Sequence, residues 1–265
     1  MTAALVEEQL RTDGFAKVGL LDSSEVAAAT RVAAPLSIPD DAGFWTTNVH
    51  ASRQEATAAS EALLDIGRAA ARRALPGQRP IWAALLAKGP CGDNWVMPHQ
   101  DWDYVDERVH RSAVLWCPLV DTSTRDGLLH VVAGSHRWID NRRGSGLFPE
   151  PFAPHLDLLT SEGTGLEVEA GQAIAYDGGA LHYSPPNEGD RLRLVMGLVL
   201  VPDDASPVHL HSIDGRAADL FHVDPRIFTD RPFRARPPGD PAEEVPFGTT
   251  SISEGTLRAH LSAAT

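Results

Sequence analysis

The sequence predicts an α+β domain in which a barrel or sandwich of antiparallel strands follows a layer of helices. Helical patterns dominate before residue 80, whereas short apolar runs separated by Gly, Pro and Asp dominate after it. All-β barrels often reach the length of this chain, 265 residues, as one unit, so a single domain is expected. Its predicted parts are a helical layer (1–79), a β core (80–201) and a loop-rich cover (202–265).

The N-terminal layer is predicted from apolar spacing and from residues that begin or end helices. A helix over 3–12 has its apolar residues on one face, and a strand follows over 15–21. Asp22 is predicted to cap a second helix, because an acidic residue, Glu25, lies three positions later. An alanine-rich helix over 55–74 comes after a loop-like stretch.

The β core is predicted from short runs of apolar and β-branched residues between turn signals. After Pro202 the chain is irregular, with a weak helical pattern only near 254–263. The predicted strands cover 81–87, 94–100, 112–120, 128–132, 166–168, 173–176 and 191–201.

Charge and composition narrow the class of partner. The formal net charge of −13 and the pI of about 5.2 argue against binding to nucleic acid. Two cysteines, Cys91 and Cys117, do not make a disulfide scaffold. Neither a basic leader nor a membrane-length apolar run is evident, so a cytoplasmic location without membrane association is expected. The sequence does not indicate an oligomeric state.

The most informative residues are His99 and Asp101, two positions apart in a strand-like run. Side chains at positions i and i+2 of a strand point to the same face, so both can bind one ion. A second histidine, His182, follows a glycine turn 81 residues after Asp101. Two imidazoles and one carboxylate on one face of a metal, with open positions opposite, are typical of non-heme Fe(II) oxygenases.

Arg193 follows these residues on a predicted strand and shares its face with Val195, Gly197 and Val199. A guanidinium among apolar residues is costly unless it meets an anion. We therefore predict that Arg193 binds a carboxylate co-substrate, although a salt bridge to a buried acid is the alternative. Arg191 has the same parity and competes for the role, but its position indicates the solvent end of the strand.

These motifs resemble those of the phytanoyl-CoA dioxygenase family, whose members depend on Fe(II) and 2-oxoglutarate. The resemblance extends over residues 1 to about 201. The matching stretches are Asp13–Val26, Pro98–Trp102, Asp126–Arg137 and Leu181–Asn187, the last followed by Arg193.

The resemblance implies a double-stranded β-helix, a jelly-roll or cupin-like barrel flanked by the N-terminal helices. It also implies that Fe(II) is held by His99, Asp101 and His182, and that Arg193 and Ser184 bind the distal carboxylate of 2-oxoglutarate. Further co-substrate contacts are expected from an aromatic residue near the site, Trp116, and, at the C1 end of 2-oxoglutarate, from Lys88.

The activity implied is the O2-dependent hydroxylation, or another oxidation, of an unactivated C–H bond in a small-molecule metabolite. Tailoring of a secondary metabolite is the favoured setting. Two alternatives stay open: a cupin-type metalloenzyme that does not use 2-oxoglutarate, and a non-catalytic binding protein on the same fold. Intact iron ligands and Arg193 argue against the second.

Candidate substrate contacts come from three stretches of the chain. Trp102 and Tyr104 follow the first metal motif directly, and His130 lies in a predicted strand with either a packed or a cavity-facing position. Trp45 and His50 belong to the loop before the long helix, which is a candidate lid, although packing is the simpler explanation for Trp45.

Overall fold

The structure is a computed structural model that describes residues 2–90, 92–138, 141–146, 152–232, 234–247 and 252–264. Helices and antiparallel sheets are both present, as predicted. The helices are α1 (Ala3–Thr12), α2 (Ser23–Val32), α3 (Thr47–His50), α4 (Arg53–Ala74), α5 (Leu156–Glu162), α6 (Ile227–Asp230) and α7 (Glu254–Ala264).

The strands form three sheets. The large sheet has the order β1-β9-β5-β11-β3-β2, a second sheet has the order β4-β10-β6-β8, and a third has the order β14-β13-β12-β7. Strand bounds are β1 (Phe15–Gly19), β2 (Phe44–Thr46), β3 (Gln78–Lys88), β4 (Val96–His99), β5 (Ala113–Pro118), β6 (His130–Val131), β7 (Ser145–Gly146), β8 (Thr164–Gly165), β9 (Gln172–Asp177), β10 (His182–Ser184), β11 (Arg193–Pro202), β12 (Val208–Ser212), β13 (Ala217–His222) and β14 (Glu243–Pro246).

The predicted cap of α2 is confirmed, and α4 begins with a similar cap two residues before its predicted start. The Asp22 carboxylate accepts from the backbone N–H of Glu25, and the Glu25 side chain accepts from the backbone N–H of Asp22. Ser52 and Glu55 make the same reciprocal pair at the start of α4. Each box satisfies backbone donors that the first helical turn leaves free, which fixes where the helix begins.

Strand β11 shows how the large sheet separates two apolar cores. Its even-numbered residues, such as Met196 and Leu198, pack with Leu63 of α4 in a core between the sheet and the N-terminal helices. Its odd-numbered residues, such as Val195, lie in a second core that also contains Val131 of β6 in the second sheet. This alternation sends Arg193 to the inter-sheet side, as the sequence predicted.

Three parts of the chain differ from the sequence prediction. Residues 166–168, expected as a strand, are not one; the nearest strand is β8 at 164–165. The loop-like stretch before α4 contains β2 and α3. The segment after Pro202, expected to be loop-rich, forms most of the third sheet, while the weak helical pattern at its end corresponds to α7. Local sequence did not show these strands because they are short and depend on pairing with one another.

Within the ranges that the structure describes, no helix has the length and apolar character needed to cross a membrane.

Candidate functional site

The two paired strands β4 and β10 bring the predicted iron ligands together. His99 ends β4 and lies directly across from His182, the first residue of β10, while Asp101 follows β4 two positions later. The ligand atoms of the three side chains all lie within 4.8 Å of one another. The spacing of the sequence and the register of the sheet therefore create a three-ligand cluster.

Backbone carbonyls orient both imidazoles. The Nδ1 atom of His99 lies 2.7 Å from the Met97 carbonyl oxygen, and that of His182 lies 3.0 Å from the Ala180 carbonyl oxygen. A carbonyl can only accept, so each Nδ1 carries the proton and donates it. Each Nε2 is then an unprotonated ligand atom, the tautomer that a metal needs.

The environment keeps His182 neutral. Burial lowers its pKa to about 4, and the neighbouring His99 acts in the same direction, while Asp101 opposes both. At neutral pH the His182 ring is therefore uncharged. Two imidazole nitrogens and one carboxylate are a donor set that fits Fe(II) and leaves half of an octahedron open.

Asp101 is held from three sides. Its backbone N–H donates to the Gly178 carbonyl at 3.0 Å, and its carbonyl accepts from Arg143 Nε at 2.6 Å. The Tyr176 hydroxyl donates to the carboxylate Oδ2 at 3.1 Å. These contacts fix both the backbone and the side chain of Asp101. The carboxylate is therefore held in one conformation next to the two imidazoles.

A second polar cluster lies where β3, β10 and β11 converge. Ser184 Oγ accepts from Lys88 Nζ at 2.8 Å and from Arg193 Nη1 at 2.9 Å, and donates to the Gly127 carbonyl at 2.8 Å. Arg193 Nη1 also donates to that carbonyl. Lys88 and Arg193 face each other across the β3–β11 pair. Two buried cations therefore meet one hydroxyl.

The charge of Arg193 is not balanced by a neighbouring acid. The side chain is 1% exposed, and no carboxylate of the described residues forms an ion pair with it. Burial lowers its pKa to about 9, which Asp126 partly offsets from a distance. Its buried Nε donates to no group of the residues that the structure describes, and its guanidinium lies 5.3 Å from the centre of the Trp116 ring. A buried, uncompensated cation with a free donor is a site for an anion.

Arg191, the competitor for this role, lies at the surface. Its side chain is 51% exposed and pairs with Asp126 at 3.8 Å, and its Nη2 donates to the Asp121 carbonyl. The ranking of Arg193 over Arg191 is therefore supported by geometry.

Lys88 lies beside the residues predicted for the distal carboxylate. Its ammonium donates to the carbonyls of Ser184 and Pro185, both at 2.7 Å, and to Ser184 Oγ. Its contact with the C1 end of 2-oxoglutarate stays a prediction. The antiparallel register fixes this position, because Lys88 pairs with Arg193.

Both polar clusters border one cavity of about 630 Å³. Its lining includes the iron ligands, Ser184 and Arg193, together with Trp116 and two predicted substrate contacts, Trp102 and Tyr104. The remaining wall is mostly apolar. A concave, mostly apolar wall with aromatic side chains around a few polar groups is typical of a small-molecule site.

Three predicted substrate contacts lie outside this lining. Trp45 packs in the core on the helix side of the large sheet, and His50 is exposed and stacks on Trp45 at 6.1 Å. Strand alternation explains the position of Trp45, since its neighbours Phe44 and Thr46 line the cavity. His130 stacks on Tyr183 at 4.7 Å, while its neighbour Leu129 faces the cavity.

Sequence reasoning missed Tyr176, Arg143 and Asn48. Tyr176 alternates along β9 with alanines that face the helices, so its parity could have revealed it. Arg143 has no local signal, because its contacts with Asp101 arise from tertiary structure. Asn48 lines the cavity from the short helix α3, which was read as loop.

Comparison with known proteins supports the resemblance seen in the motifs. A family profile described as phytanoyl-CoA dioxygenase (PhyH) matches residues 11–195, more than half of the chain. The chain belongs to the phytanoyl-CoA dioxygenase family. The iron and 2-oxoglutarate predicted from the sequence are the cofactors of this family, and the described chain contains a three-residue cluster, His99, Asp101 and His182, able to hold the metal.

A curated relative is the phytanoyl-CoA dioxygenase domain-containing protein 1 homolog of Dictyostelium discoideum. It is 26% identical over 143 residues, which are 51% of this chain and 47% of the relative. The match therefore spans about half the length of that relative.

Solved structures of similar fold include two proteins of nogalamycin biosynthesis. SnoN, an epimerase solved with Fe3+, alpha ketoglutarate and nogalamycin RO, is 21% identical with a TM-score of 0.53, covering 77% of this chain and 85% of SnoN. SnoK, a non-heme alpha ketoglutarate dependent carbocyclase, is 17% identical with a TM-score of 0.55, covering 78% of this chain and 88% of SnoK. At this identity, the likeness shows the fold.

Proposed function

We propose that this protein is an Fe(II)- and 2-oxoglutarate-dependent dioxygenase that hydroxylates an unactivated C–H bond of a small molecule. The observation that carries the proposal is the pairing of two sites in one cavity. One is a His–Asp–His cluster with its ligand atoms within 4.8 Å, and the other is a buried arginine without a carboxylate partner. The first fits the metal and the second fits a diacid co-substrate.

His99, Asp101 and His182 would hold the iron on one face. When bound, the iron and 2-oxoglutarate supply the activation of O2, giving succinate, CO2 and one oxygen atom for the substrate. The protein's own contribution is to keep both imidazoles in the ligating tautomer and to fix the Asp101 carboxylate through Tyr176.

Arg193, Ser184 and Lys88 would bind the distal carboxylate. The free Nε of Arg193 and its neighbouring Nη atoms can form a bidentate pair with a carboxylate, and the Ser184 hydroxyl lies within 3 Å of both cations. Trp116 covers the guanidinium and keeps water from it. An ion pair between the co-substrate carboxylate and the Arg193 guanidinium, shielded from water, fixes the orientation of the co-substrate in the cavity.

The apolar wall serves the chemistry by excluding water. Leu129, Val199 and Trp116 line the cavity between the two polar clusters. A dry wall prevents unproductive reaction of the activated oxygen with solvent and holds a carbon–hydrogen bond near the iron side. Trp102 and Tyr104 also face this space, and we retain both as substrate contacts.

Hydroxylation is favoured over halogenation because a carboxylate, Asp101, occupies the third ligand position. A halogenase of this type needs a small residue there, which leaves a coordination position for chloride. SnoN and SnoK, named as an epimerase and a carbocyclase, indicate other outcomes open to the same fold. Their setting, nogalamycin biosynthesis, supports the tailoring of a secondary metabolite as the role of this chain.

The six-stranded sheet and the second sheet, β4-β10-β6-β8, support the finer assignment of the fold. They share an apolar core, and their short antiparallel strands place the iron ligands on one sheet and Arg193 on the other. We propose that they form the double-stranded β-helix that the resemblance implies.

The test is product analysis with Fe(II), 2-oxoglutarate, O2 and candidate substrates. The proposal expects succinate in equal amount to a product one oxygen atom heavier than the substrate, and neither compound from the Asp101→Ala variant. A product of unchanged mass would indicate epimerisation instead of hydroxylation. A product that lacks two hydrogens would indicate ring closure. Oxidation without any consumption of 2-oxoglutarate would favour the alternative, a cupin-type metalloenzyme.

A further inference from the structure

Few charged side chains of the cavity lining remain for the substrate once the cofactors are assigned. Asp101 and Arg193 are assigned to iron and to 2-oxoglutarate, which leaves Arg234 as the remaining Asp, Glu, Lys or Arg among the lining residues that the structure describes. Arg234 is itself exposed at the surface. The phosphates of a CoA ester need a basic groove, and a single exposed cation does not provide one. The lining therefore favours an uncharged substrate.

The shape of the wall favours rings. Three of the six tryptophans of the chain, Trp82, Trp102 and Trp116, line the cavity together with Phe44 and Tyr104. Aromatic faces bind flat rings better than they bind flexible chains, because stacking adds to the burial of apolar area. A volume of about 630 Å³ also lies in the range of sites for drug-sized ligands.

One neutral donor in this wall has no acceptor in the described part of the chain. Asn48 lies in α3 and is 5% exposed, and its side chain lines the cavity. The Thr46 hydroxyl donates to Asn48 Oδ1 at 2.6 Å, which turns the amide nitrogen away from Thr46. No acceptor among the described residues receives a hydrogen bond from Asn48 Nδ2. An amide N–H that borders the cavity and has no acceptor among the described residues is suited to an acceptor on a ligand.

Thr46 holds this donor in place. Its backbone N–H donates to His50 Nδ1 at 3.0 Å, and it pairs with Leu86 across β2 and β3. Because these contacts fix the Thr46 backbone, the Thr46 hydroxyl holds the Asn48 side-chain amide in one orientation. Thr46 is therefore a positioning residue, and Asn48 is the group that would touch the substrate.

We infer that the substrate is an uncharged, ring-containing small molecule with an oxygen that accepts a hydrogen bond from Asn48 Nδ2. This inference rests on the proposed function, because it assigns Asp101 and Arg193 to the cofactors.

Binding can be measured with probes before the substrate is known. The anaerobic protein with Fe(II) and 2-oxoglutarate is titrated with 2-acetylnaphthalene, a neutral ring ketone, and with naphthalene, which lacks the oxygen. Quenching of tryptophan fluorescence reports binding, since three tryptophans line the cavity. 2-Decanone and octanoyl-CoA are tested as competitors. The inference expects 2-acetylnaphthalene to bind at least about tenfold more tightly than either competitor.

Variants test the donor itself. Asn48→Leu removes the N–H and keeps a side chain of similar size. It is expected to weaken the binding of 2-acetylnaphthalene about five- to tenfold and to change the affinity for naphthalene less than about twofold. If the Asn48→Leu variant does not fold, Asn48→Asp, which also lacks the N–H donor, is used in its place. Thr46→Val is expected to reproduce part of the loss, and Thr46→Ser to retain binding. Val49→Ala, an apolar change in the same lining, is the matched control and should leave the ratio of the two probes unchanged.

Two results would overturn the inference: octanoyl-CoA or 2-decanone binding as tightly as 2-acetylnaphthalene, or equal losses for both ring probes in the Asn48 variants. Binding is measured here without turnover, so the two proposals fail separately. If succinate forms but the probes bind without selectivity, the proposed substrate class alone is rejected. If the probes bind selectively but no 2-oxoglutarate is consumed, the proposed oxygenase activity is rejected.

Discussion

The guanidinium of Arg143 donates from Nε to the backbone carbonyl of Asp101 at 2.6 Å. The same side chain is buried and pairs with two buried acids, Asp103 at 2.9 Å and Glu107 at 2.7 Å. The backbone is tied as well, because the Asp103 N–H donates to the Arg143 carbonyl at 3.0 Å. A buried ion network therefore anchors the segment that carries one of the three metal ligands.

Replacing Arg143 by methionine should be strongly destabilising. It would leave the Asp103 and Glu107 carboxylates buried without their main cation, and breaking a buried pair in this way costs about 3–5 kcal/mol. The free energy of unfolding from urea titration measures the effect. Arg108→Met is the matched control, because Arg108 is 47% exposed and its loss should cost less than about 1 kcal/mol. Equal losses in the two variants would contradict the anchoring role.

Tyr176→Phe tests the support given to the Asp101 carboxylate. The change removes the hydroxyl that donates to Asp101 Oδ2 at 3.1 Å and keeps the ring that packs against His182 at 4.6 Å. Loss of such a partner to a metal ligand is expected to weaken Fe(II) binding about tenfold or more. Competition with a chelator measures the affinity. Wild-type affinity in this variant would show that the hydroxyl does not orient the ligand.

Arg193 and Arg191 form a natural pair for testing co-substrate binding. Arg193→Leu removes the buried cation and is expected to raise the KM for 2-oxoglutarate about 30- to 150-fold, because hydrogen bonds between charged groups are lost. Arg191→Leu changes an exposed side chain two residues before the start of β11 and should alter KM less than about twofold. Steady-state kinetics with varied 2-oxoglutarate separates the two. The reverse order would move the co-substrate site to the surface.

Cys117 should be unreactive in the folded protein. Its thiol is buried, which raises its pKa to about 12, so almost no thiolate exists at pH 8. In a Cys91→Ser variant, which leaves a single cysteine, a thiol reagent should label nothing in the native state and Cys117 after unfolding. Rapid labelling of the native variant would contradict this burial.

The metal cluster could be predicted from sequence because its geometry is local. The spacing of His99 and Asp101 on one strand face, and the parity of Arg193, needed only the two-residue period of a strand. The residue types also limited the chemistry to a metal and an anion. The family resemblance then supplied the pairing of His182 with the first two ligands.

The errors arose where position depends on pairing between distant segments. The sequence did not reveal that Phe44–Thr46 joins the large sheet, and this pairing turns Trp45 toward the helices. The third sheet depends on contacts among short strands after Pro202 and could not be read locally. The pairing of Lys88 with Arg193 also depends on strand register and could not be read from the local sequence.

The central claim is that three side chains and one buried cation bind iron and 2-oxoglutarate together. Its most direct test is an anaerobic titration of the protein with Fe(II) and 2-oxoglutarate, monitored by the metal-to-ligand charge-transfer absorption of the chelated co-substrate. We expect the band in the wild-type protein and its loss in a His99→Ala variant that keeps its fold. A wild-type protein without the band, or a variant with the band at full intensity, would contradict the claim.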